Sequence, residues 1–349
     1  MKSTAKTAGA HKPSKRPSRR ERLLALLADG EAHSGERLAV RLRISRSAVW
    51  KIVGTLRELG VQIEASREHG YRLPHAVELY DSAVVLESLS PAARAATAKF
   101  DVLLSVDSTN RYLVDAPTVE ANKAQVCVAE VQTAGRGRRG RSWLAPFGSS
   151  LVLSLAWTFE ESPPTLSALS LAVGVAVVRA LRRYGADSVQ LKWPNDLVWR
   201  ARKLGGILIE LRGESSGPTR VVIGLGMNLR MPPQARLDLA EHHAVVASDL
   251  QDVLGARAPN RNALLAAIID ESIGALTAFA ATGFNAFIDE WRAADALKGA
   301  NVRVLCANET LNGVARGVDV DGALLVDVAG QTRRFVSGEV SLRASGAPL

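Results

Sequence analysis

The segment 132–143, QTAGRGRRGRSW, constrains the fold more than any other, because it sets four arginines and three glycines between two apolar, strand-like runs at 124–131 and 150–157. Arg136, Arg138, Arg139 and Arg141 each carry a permanent charge on a planar donor fork that matches phosphate or carboxylate oxygens. Gly135, Gly137 and Gly140 lack a Cβ, so the backbone there can bend round a ligand and turn N–H groups towards it. Arginine- and glycine-rich segments that bind RNA, or simply face solvent, run through long disordered tracts. This one is short and bounded by strands on both sides, which points to a loop held on a sheet and built to hold phosphate.

At 349 residues the chain exceeds one ordinary domain of roughly 100 to 200 residues, and a hydrophobic content of 47% can fill more than one core. The net charge of +9 would suggest a polyanionic partner, but seven basic residues and no acid fall within residues 1–20, so most of the excess is a tail. Rich in Lys, Ser, Ala and Pro, that tail (1–19) is expected to be disordered and to assist DNA binding through phosphate contacts. It has no apolar core of the kind a secretory signal needs. The longest apolar stretch read from the sequence, 166–178, has Ser and Gly inside it and is too short to span a bilayer. Cys127 and Cys306 give neither a disulfide framework nor a metal pattern, so no protein metal site is expected. A cytoplasmic protein with no membrane partner fits these features.

Residues 20–75 read as a winged helix-turn-helix. One helix runs near 21–28 and stops at Asp29-Gly30; Ser34 caps a second, with Leu38 and Leu42 inward; Ser45 caps a third over 46–59. In the third, Val49, Ile52, Val53, Leu56 and Leu59 recur at helical spacing and form a buried stripe. Arg46, Ser47, Trp50 and Lys51 form the opposite face, where a DNA-reading helix would meet the major groove. A helical domain used only for protein contacts is the alternative, and an exposed tryptophan favours DNA. Segments 61–64 and 70–73 are expected to pair as the wing, with Arg67 and His69 at its tip.

Residues 84–296 alternate strand-like and helical periods, as in a mixed α/β domain. DSTN at 107–110 offers three small hydrogen-bonding side chains where a strand gives way to a helix, and by itself reads equally as a helix cap. LKWPNDL at 191–197 ends a strand in a Pro-Asn-Asp turn, with Lys192 facing away from its apolar neighbours Leu191 and Trp193. KLGGILIE at 203–210 and VVIGLGMN at 221–228 read as two antiparallel strands. The second lacks the last glycine of a dinucleotide fingerprint, Leu229 standing there, and no helix is expected after it. The paired glycines are expected to let a flat ligand approach the backbone, and 212–219 to form a mobile loop. Residues 297–345 turn to short alternating strands with a tight two-residue turn at Asp321-Gly322, the pattern of a small SH3-type barrel.

Taken in order, DSTN, Q-x-x-GRGRRGR-x-W, KWPNDL, KLGGILIE and IGLGMN resemble the biotin protein ligases, over about residues 20–345. The winged helix ahead of them resembles the bifunctional subgroup that also represses biotin synthesis genes. Lipoate protein ligases share the catalytic fold without this combination. The resemblance implies an α/β multidomain protein: an N-terminal winged helix-turn-helix, a central mixed α/β domain of the biotin/lipoate ligase type and a C-terminal SH3-like β-barrel.

It also implies roles. Ser108, Thr109, Asn110 and Gln132 would contact the biotin head, and Arg136, Gly137 and Arg138 would close over its activated tail and the phosphate. Lys192 would stand near the carboxylate and α-phosphate, making Lys192, Arg138 and Arg136 the expected catalytic set. Trp143, Asn195, Asp196, Lys203, Asn228 and Arg316 would belong to the nucleotide environment. The implied substrates are biotin and ATP with Mg²⁺, and the implied partners are a biotin carboxyl carrier protein, operator DNA and a second copy of the chain once biotinyl-adenylate is bound. A ligase with a vestigial DNA-binding domain and a non-catalytic biotin-sensing repressor are the competing readings.

Overall fold

The computed structural model describes residues 17–161, 163, 166–212, 218–243, 245–306, 309–336 and 341–344. They fall into two compact units, one made of the chain up to Arg57 with Ile63–Ala76, the other of Glu58–Gln62 with the chain from Val77. Residues 1–16, most of the basic tail, lie outside the described residues, as do 213–217 of the expected mobile loop.

In the first unit, α1 (Arg19–Leu27) starts two residues before the sequence reading because Ser18 and Glu21 close a capping box, each side chain bonding the other's backbone N–H. Ser34 caps α2 (Gly35–Leu42) and the Ser45 hydroxyl accepts from Ala48 N at the start of α3 (Arg46–Glu58). Val49, Val53 and Leu56 are buried as expected, while Ile52 and Leu59 are only half-buried. The wing pairs β1 (Glu64–Ser66) with β2 (Gly70–Arg72), so its first strand begins later than expected. Val61 and Ile63 are buried, and the Ile63 carbonyl is taken by the Arg57 guanidinium at 2.6 and 3.0 Å. His33 and Tyr71 exchange backbone bonds at 2.9 Å, an isolated bridge that ties the chain ahead of α2 to the wing. Gly70 (φ +83) allows this approach, since a Cβ there would stand 2.7 Å from the His33 carbonyl carbon.

The second unit opens with α4 (Ser82–Ser88) and α5 (Pro91–Ala96), then β3 (Thr97–Val106), α6 (Thr109–Asp115), β4 (Ala124–Gln132) and β5 (Ser150–Phe159). There follow α7 (Leu169–Arg182), β6 (Gln190–Lys192), β7 (Asp196–Trp199), β8 (Arg202–Arg212), β9 (Thr219–Asn228), α8 (Pro233–His243), α9 (Leu250–Leu254), α10 (Arg261–Thr282) and α11 (Ile288–Ala294). Among the described residues one sheet runs β3-β4-β5-β9-β8-β7-β6, with β3 and β4 parallel and every other pair antiparallel. Every residue of β5 is buried, as befits a central strand covered on both faces. Two expectations are corrected here. A helix does follow the IGLGMN strand, α8 starting at Pro233 after a short turn. The stretch 166–178 is also not the longest apolar one, because Arg261–Ala286 is apolar and long enough to cross a membrane by composition alone. Some 61% of its most apolar window is buried, and Leu264, Ile268, Leu276 and Phe279 sit in the same core as the sheet. It is a core helix.

The start of α10 also clasps the segment that opens this unit. Arg261 lies over the Tyr80 ring at 3.9 Å and pairs with Glu130 at 2.8 Å, while Glu130 accepts from Tyr80 N at 2.7 Å. Burial, with Glu130 adding to it against the opposing charge of Arg261, raises the Tyr80 phenol to about 12.

The C-terminal strands are β10 (Asn301–Leu305), β11 (Thr310–Val318), β12 (Leu324–Val328), β13 (Gln331–Phe335) and β14 (Ser341–Ala344), ordered β13-β12-β11-β10-β14 and antiparallel throughout. The expected closing segment falls partly on 338–340, outside the described residues; β14 itself pairs with β10. The β11–β12 turn differs from the expected two-residue form. Gly322 N bonds Asp319 O at 3.0 Å, which centres the turn on Val320 and Asp321 and leaves Gly322 at φ +82. A docking contact accompanies the difference: the Gly322 carbonyl accepts from Trp193 Nε1 at 3.1 Å, and a Cβ on Gly322 would stand 2.7 Å from that of Ala168. Val302, Val304, Ala315, Val318, Leu324 and Val326 continue the core of the central sheet, so the two regions share one hydrophobic interior.

Candidate active site

A cavity of about 550 Å³ lies between the start of α6, the arginine loop, the β5, β8 and β9 strands, and the segment from α8 to Ala247. One end is built on DSTN. β3 delivers the motif and Ser108 caps α6, so Ser108, Thr109 and Asn110 are buried at the cavity floor. Thr109 donates from both its N–H (2.8 Å) and its hydroxyl (3.0 Å) to Gln132 Oε1. Ser154, fully buried on β5, stands 2.7 Å from Thr109 Oγ1 and 2.6 Å from Asn110 Oδ1, and its single proton can serve only one of them at a time. The Asn110 amide nitrogen donates to Glu210 Oε2 at 2.9 Å and to the Leu208 carbonyl at 3.4 Å, which fixes which way the amide points. Such a network offers directed donors and acceptors in a site shielded from water, where an unmatched partner is costly.

Two glycines of β9 make room at this floor. A Cβ at Gly224 would stand 2.9 Å from Asn110 Cγ, and one at Gly226 would stand 2.7 Å from Trp143 Nε1. The bare backbone therefore seats two of the protein's own side chains, which in turn shape the space for a ligand.

The arginine loop follows a defined path across the cavity. Thr133 N and Ala134 N donate to Val106 O and Asp107 O at 2.9 Å, pinning its base to the strand that carries DSTN. Gly137 N donates to Arg141 O at 2.7 Å, and Arg136 bridges to Ser142, making a small hairpin capped by a 3-10 turn at Arg138–Gly140. Arg136 reaches Glu210 Oε1 at 3.1 Å, and Arg138 donates to Asn195 Oδ1 at 3.2 Å. Burial lowers the Arg138 pKa, the neighbouring charges of Arg139 and Arg141 lower it further, and only Asp196 acts the other way. A half-buried cation with cations beside it would gain from an anion placed on the lining.

Trp143 and Lys203 mark the other end, with the Lys203 ammonium 5.9 Å from the indole centre and 2.6 Å from Asp196 Oδ1. Lys203 also bonds through its backbone to Val246 and Ser248 at 2.8 and 2.9 Å. This brings Leu239, Val245 and Ala247 into the lining as an apolar wall. Asn228 is buried beside them and donates to Ser248 O at 3.0 Å.

Ser108, Thr109, Asn110, Gln132, Arg136, Gly137, Arg138, Trp143, Asn195, Asp196, Lys203 and Asn228 thus meet in one cavity although up to 120 residues separate them. Two of the residues singled out do not line it. Lys192 ends β6 directly across from Asp196, half-buried, one strand position from the lining. Arg316 is exposed on β11 and pairs with Asp327 at 2.6 Å. Sequence reasoning missed Ser154, Glu210 and the wall residues Leu239, Val245 and Ala247, with Glu241 beside them. Ser154 is one polar residue in an apolar strand, which is a legible signal; the wall, lacking a motif, is not. Among the described residues no group of three or more His, Cys, Asp or Glu is placed to hold a metal ion.

In the first unit Arg46, Ser47, Trp50 and Lys51 share the exposed face of α3, and Trp50 is 67% exposed. All four side chains are thus open to solvent on one face of the helix.

Comparison with known proteins agrees with this layout. The biotin/lipoate A/B protein ligase family model matches residues 102–228, an HTH domain model matches 19–72, and the biotin protein ligase C terminal domain model matches 299–343. The bifunctional ligase/repressor BirA of Salmonella typhimurium is 38% identical over 323 residues, covering 93% of this chain and 97% of that protein. The Escherichia coli protein of the same name is 37% identical with the same coverage. A solved biotin protein ligase from Aquifex aeolicus, in complex with biotin and ATP, superposes with a TM-score of 0.58 at 27% identity, over 71% of this chain and all of that one. Similarity at this level along nearly the whole of both bacterial relatives settles the grouping: the chain belongs to the bifunctional biotin ligase/repressor family.

Proposed function

We propose that this protein is an ATP-dependent biotin protein ligase and a biotin-responsive repressor of biotin synthesis genes, acting in the cytoplasm. The observation that carries the ligase reading is the meeting, in one cavity, of a floor held by a fixed hydrogen-bonding network with the half-buried cation Arg138 on the lining. On this reading Ser108, Thr109, Asn110 and Gln132 take the ureido head of biotin, and Arg136, Gly137 and Arg138 lie along its carboxylate. Trp143, Lys203 and the apolar wall face the adenine end, with Asn195, Asp196 and Asn228 around the nucleotide. Arg316 enters this set on family resemblance alone.

The chemistry suits those residues. A carboxylate oxygen of biotin attacks the α-phosphorus of ATP, forming an acyl–phosphate bond as the α–β bond breaks and pyrophosphate leaves. Two anions must meet, so the cation at Arg138 offsets their repulsion and stabilises the charge that develops, joined on family resemblance by Lys192, which stands one strand position from the lining. Magnesium bound to the phosphates would supply further charge neutralisation there. Such an ion is normally held by one or two carboxylates plus phosphate oxygens and water, and Asp196 on the lining fits that modest requirement. The biotinyl-adenylate then meets the amine of a carrier-protein lysine; an amide forms, AMP leaves and the amine proton goes to solvent. No protein nucleophile is required. The folded arginine loop shields the mixed anhydride from water in the meantime.

For the second activity, the adenylate acts as corepressor by favouring a homodimer that presents two α3 helices to an inverted repeat. Incubation with biotin, Mg-ATP and a biotin carboxyl carrier domain tests the enzyme: no transfer by folded protein refutes it. Gel shifts on the protein's own biotin-gene promoters test the repressor, and binding that ignores biotin and ATP, or no binding, refutes that part.

A further inference from the structure

We propose that Glu210 is a positioning residue that ties the arginine loop to the floor of the cavity, so that the loop stays closed over an intermediate only while Asn110 is seated. The proposal rests on the ligase reading for its ligand but on geometry alone for the tether. Glu210 lies outside the cavity lining, yet both of its oxygens are committed: Oε2 accepts from the Asn110 amide at 2.9 Å and Oε1 pairs with Arg136 at 3.1 Å. Those two partners sit on different elements, the first turn of α6 and the foot of the loop hairpin, where Arg136 bridges to Ser142.

The sheet explains why this position spans the gap. Along β8, Gly206, Leu208 and Glu210 point to one face, and their cross-strand neighbours on β9 are Gly226, Gly224 and Val222. The first two neighbours have no side chain, so Trp143 and Asn110 lie down on the sheet there. Glu210 stands at the rim of that hollow, long enough to hold the amide below and the guanidinium above.

Only a glutamate satisfies both ends. Arg136 and the Asn110 nitrogen are donors, and a carboxylate offers an acceptor to each. Glutamine carries one oxygen and one donor NH₂, so it must set a donor against one of them. Aspartate is a methylene too short for the same span. An ion pair serving only the stability of β8 would need one partner, and neither partner would have to belong to the cavity.

The test uses the full chain and the isosteric Glu210→Gln variant, with the unfolding midpoint confirming its fold. Trypsin cleavage after the loop arginines reads the tether without any ligand, and release of radiolabelled biotinyl-adenylate from the preformed complex reads its consequence. Both rates should rise about tenfold in Glu210→Gln, and the Glu210→Gln/Arg136→Gln double variant should be no faster than the faster single one. Cleavage or release at the wild-type rate overturns the proposal. Should the wild-type protein make no adenylate, the ligase reading fails, and the trypsin rates still decide the tether. If Glu210→Gln does not fold, Arg136→Gln on the exposed loop reads the same link from its other end.

Discussion

Two glycines one strand position pair apart should divide the cavity's functions between them. In Gly224→Ala the new methyl stands 2.9 Å from Asn110 Cγ and 3.2 Å from its nitrogen. Ordinary carbon contacts lie at roughly 3.5 to 4.0 Å, so the amide must retreat by about 0.6 to 1 Å. A shift of that size is enough to break the 2.9 Å bond to Glu210 and to weaken the 2.6 Å contact with Ser154. Relocating one buried amide and loosening its bonds costs about 2 kcal/mol of biotin affinity, or ~30-fold in Kd. Gly226→Ala instead puts a methyl 2.7 Å from Trp143 Nε1 and lifts the indole away from Lys203. Its expected effect is about a tenfold rise in KM for ATP with biotin affinity within threefold. Titration calorimetry with biotin, pyrophosphate exchange at varied ATP, and thermal unfolding separate these outcomes. Gly274→Ala is the control: the residue is exposed in α10 with nothing within 4 Å of an added Cβ, so it should only stabilise, by about 0.5 to 1 kcal/mol. The reasoning fails if folded Gly224→Ala binds biotin within twofold of wild type, or if both cavity variants raise the same constant.

Lys192→Ala should lower adenylation at least ~100-fold while biotin Kd changes less than about fivefold; near-wild-type turnover in a folded protein would remove Lys192 from the chemistry. Trp50→Ala should weaken operator binding about tenfold with an unchanged melting temperature, because the side chain is 67% exposed and supports no core. Equal affinity in the gel shift would assign α3 another partner. Asp295→Asn should stabilise the protein more as pH rises. Burial raises the Asp295 carboxyl above its ordinary 3.8, against the Leu297 N–H and Lys298, which lower it. The native state therefore favours the protonated form, and that contribution, present below 3.8, is lost as pH climbs through the folded value. The variant's advantage should grow from pH 4 to pH 8 in urea unfolding, by about 1.4 kcal/mol for each unit the folded pKa lies above the unfolded one. A constant difference would show that Asp295 carries no such penalty.

What could be read in the sequence depended on whether a residue's neighbours in the chain were also its neighbours in space. Ser34 and Ser45 announce their helices because a cap acts three residues away. The arginine loop is legible for the same reason, its hairpin being closed by Gly137 and Arg141 within one short segment. The β11–β12 turn was misread where it meets Trp193, a distant partner whose indole takes the Gly322 carbonyl. The wing strand was misplaced because Arg57 captures the Ile63 carbonyl that a ladder would have used. The glycines of β9 were correctly seen to leave space, but local pattern could not say for what, since Asn110 and Trp143 reach them only through the fold.

The same distinction separates the two halves of the cavity. DSTN and the arginine loop are compact motifs whose side chains must be held at fixed angles, so the residue types themselves betray the task. Leu239, Val245 and Ala247 have only to be apolar and near Lys203, which many sequences achieve, and they therefore leave no signature. Glu210 falls between these cases. In the sequence it closes an ordinary strand, and its place in the site becomes visible only when the Gly224 and Gly226 positions empty the sheet beside it and two donors from separate elements meet on one carboxylate. A residue of this kind acts through its neighbours' geometry, so its substitution should show first in how long an intermediate is held and only afterwards in how fast it is made.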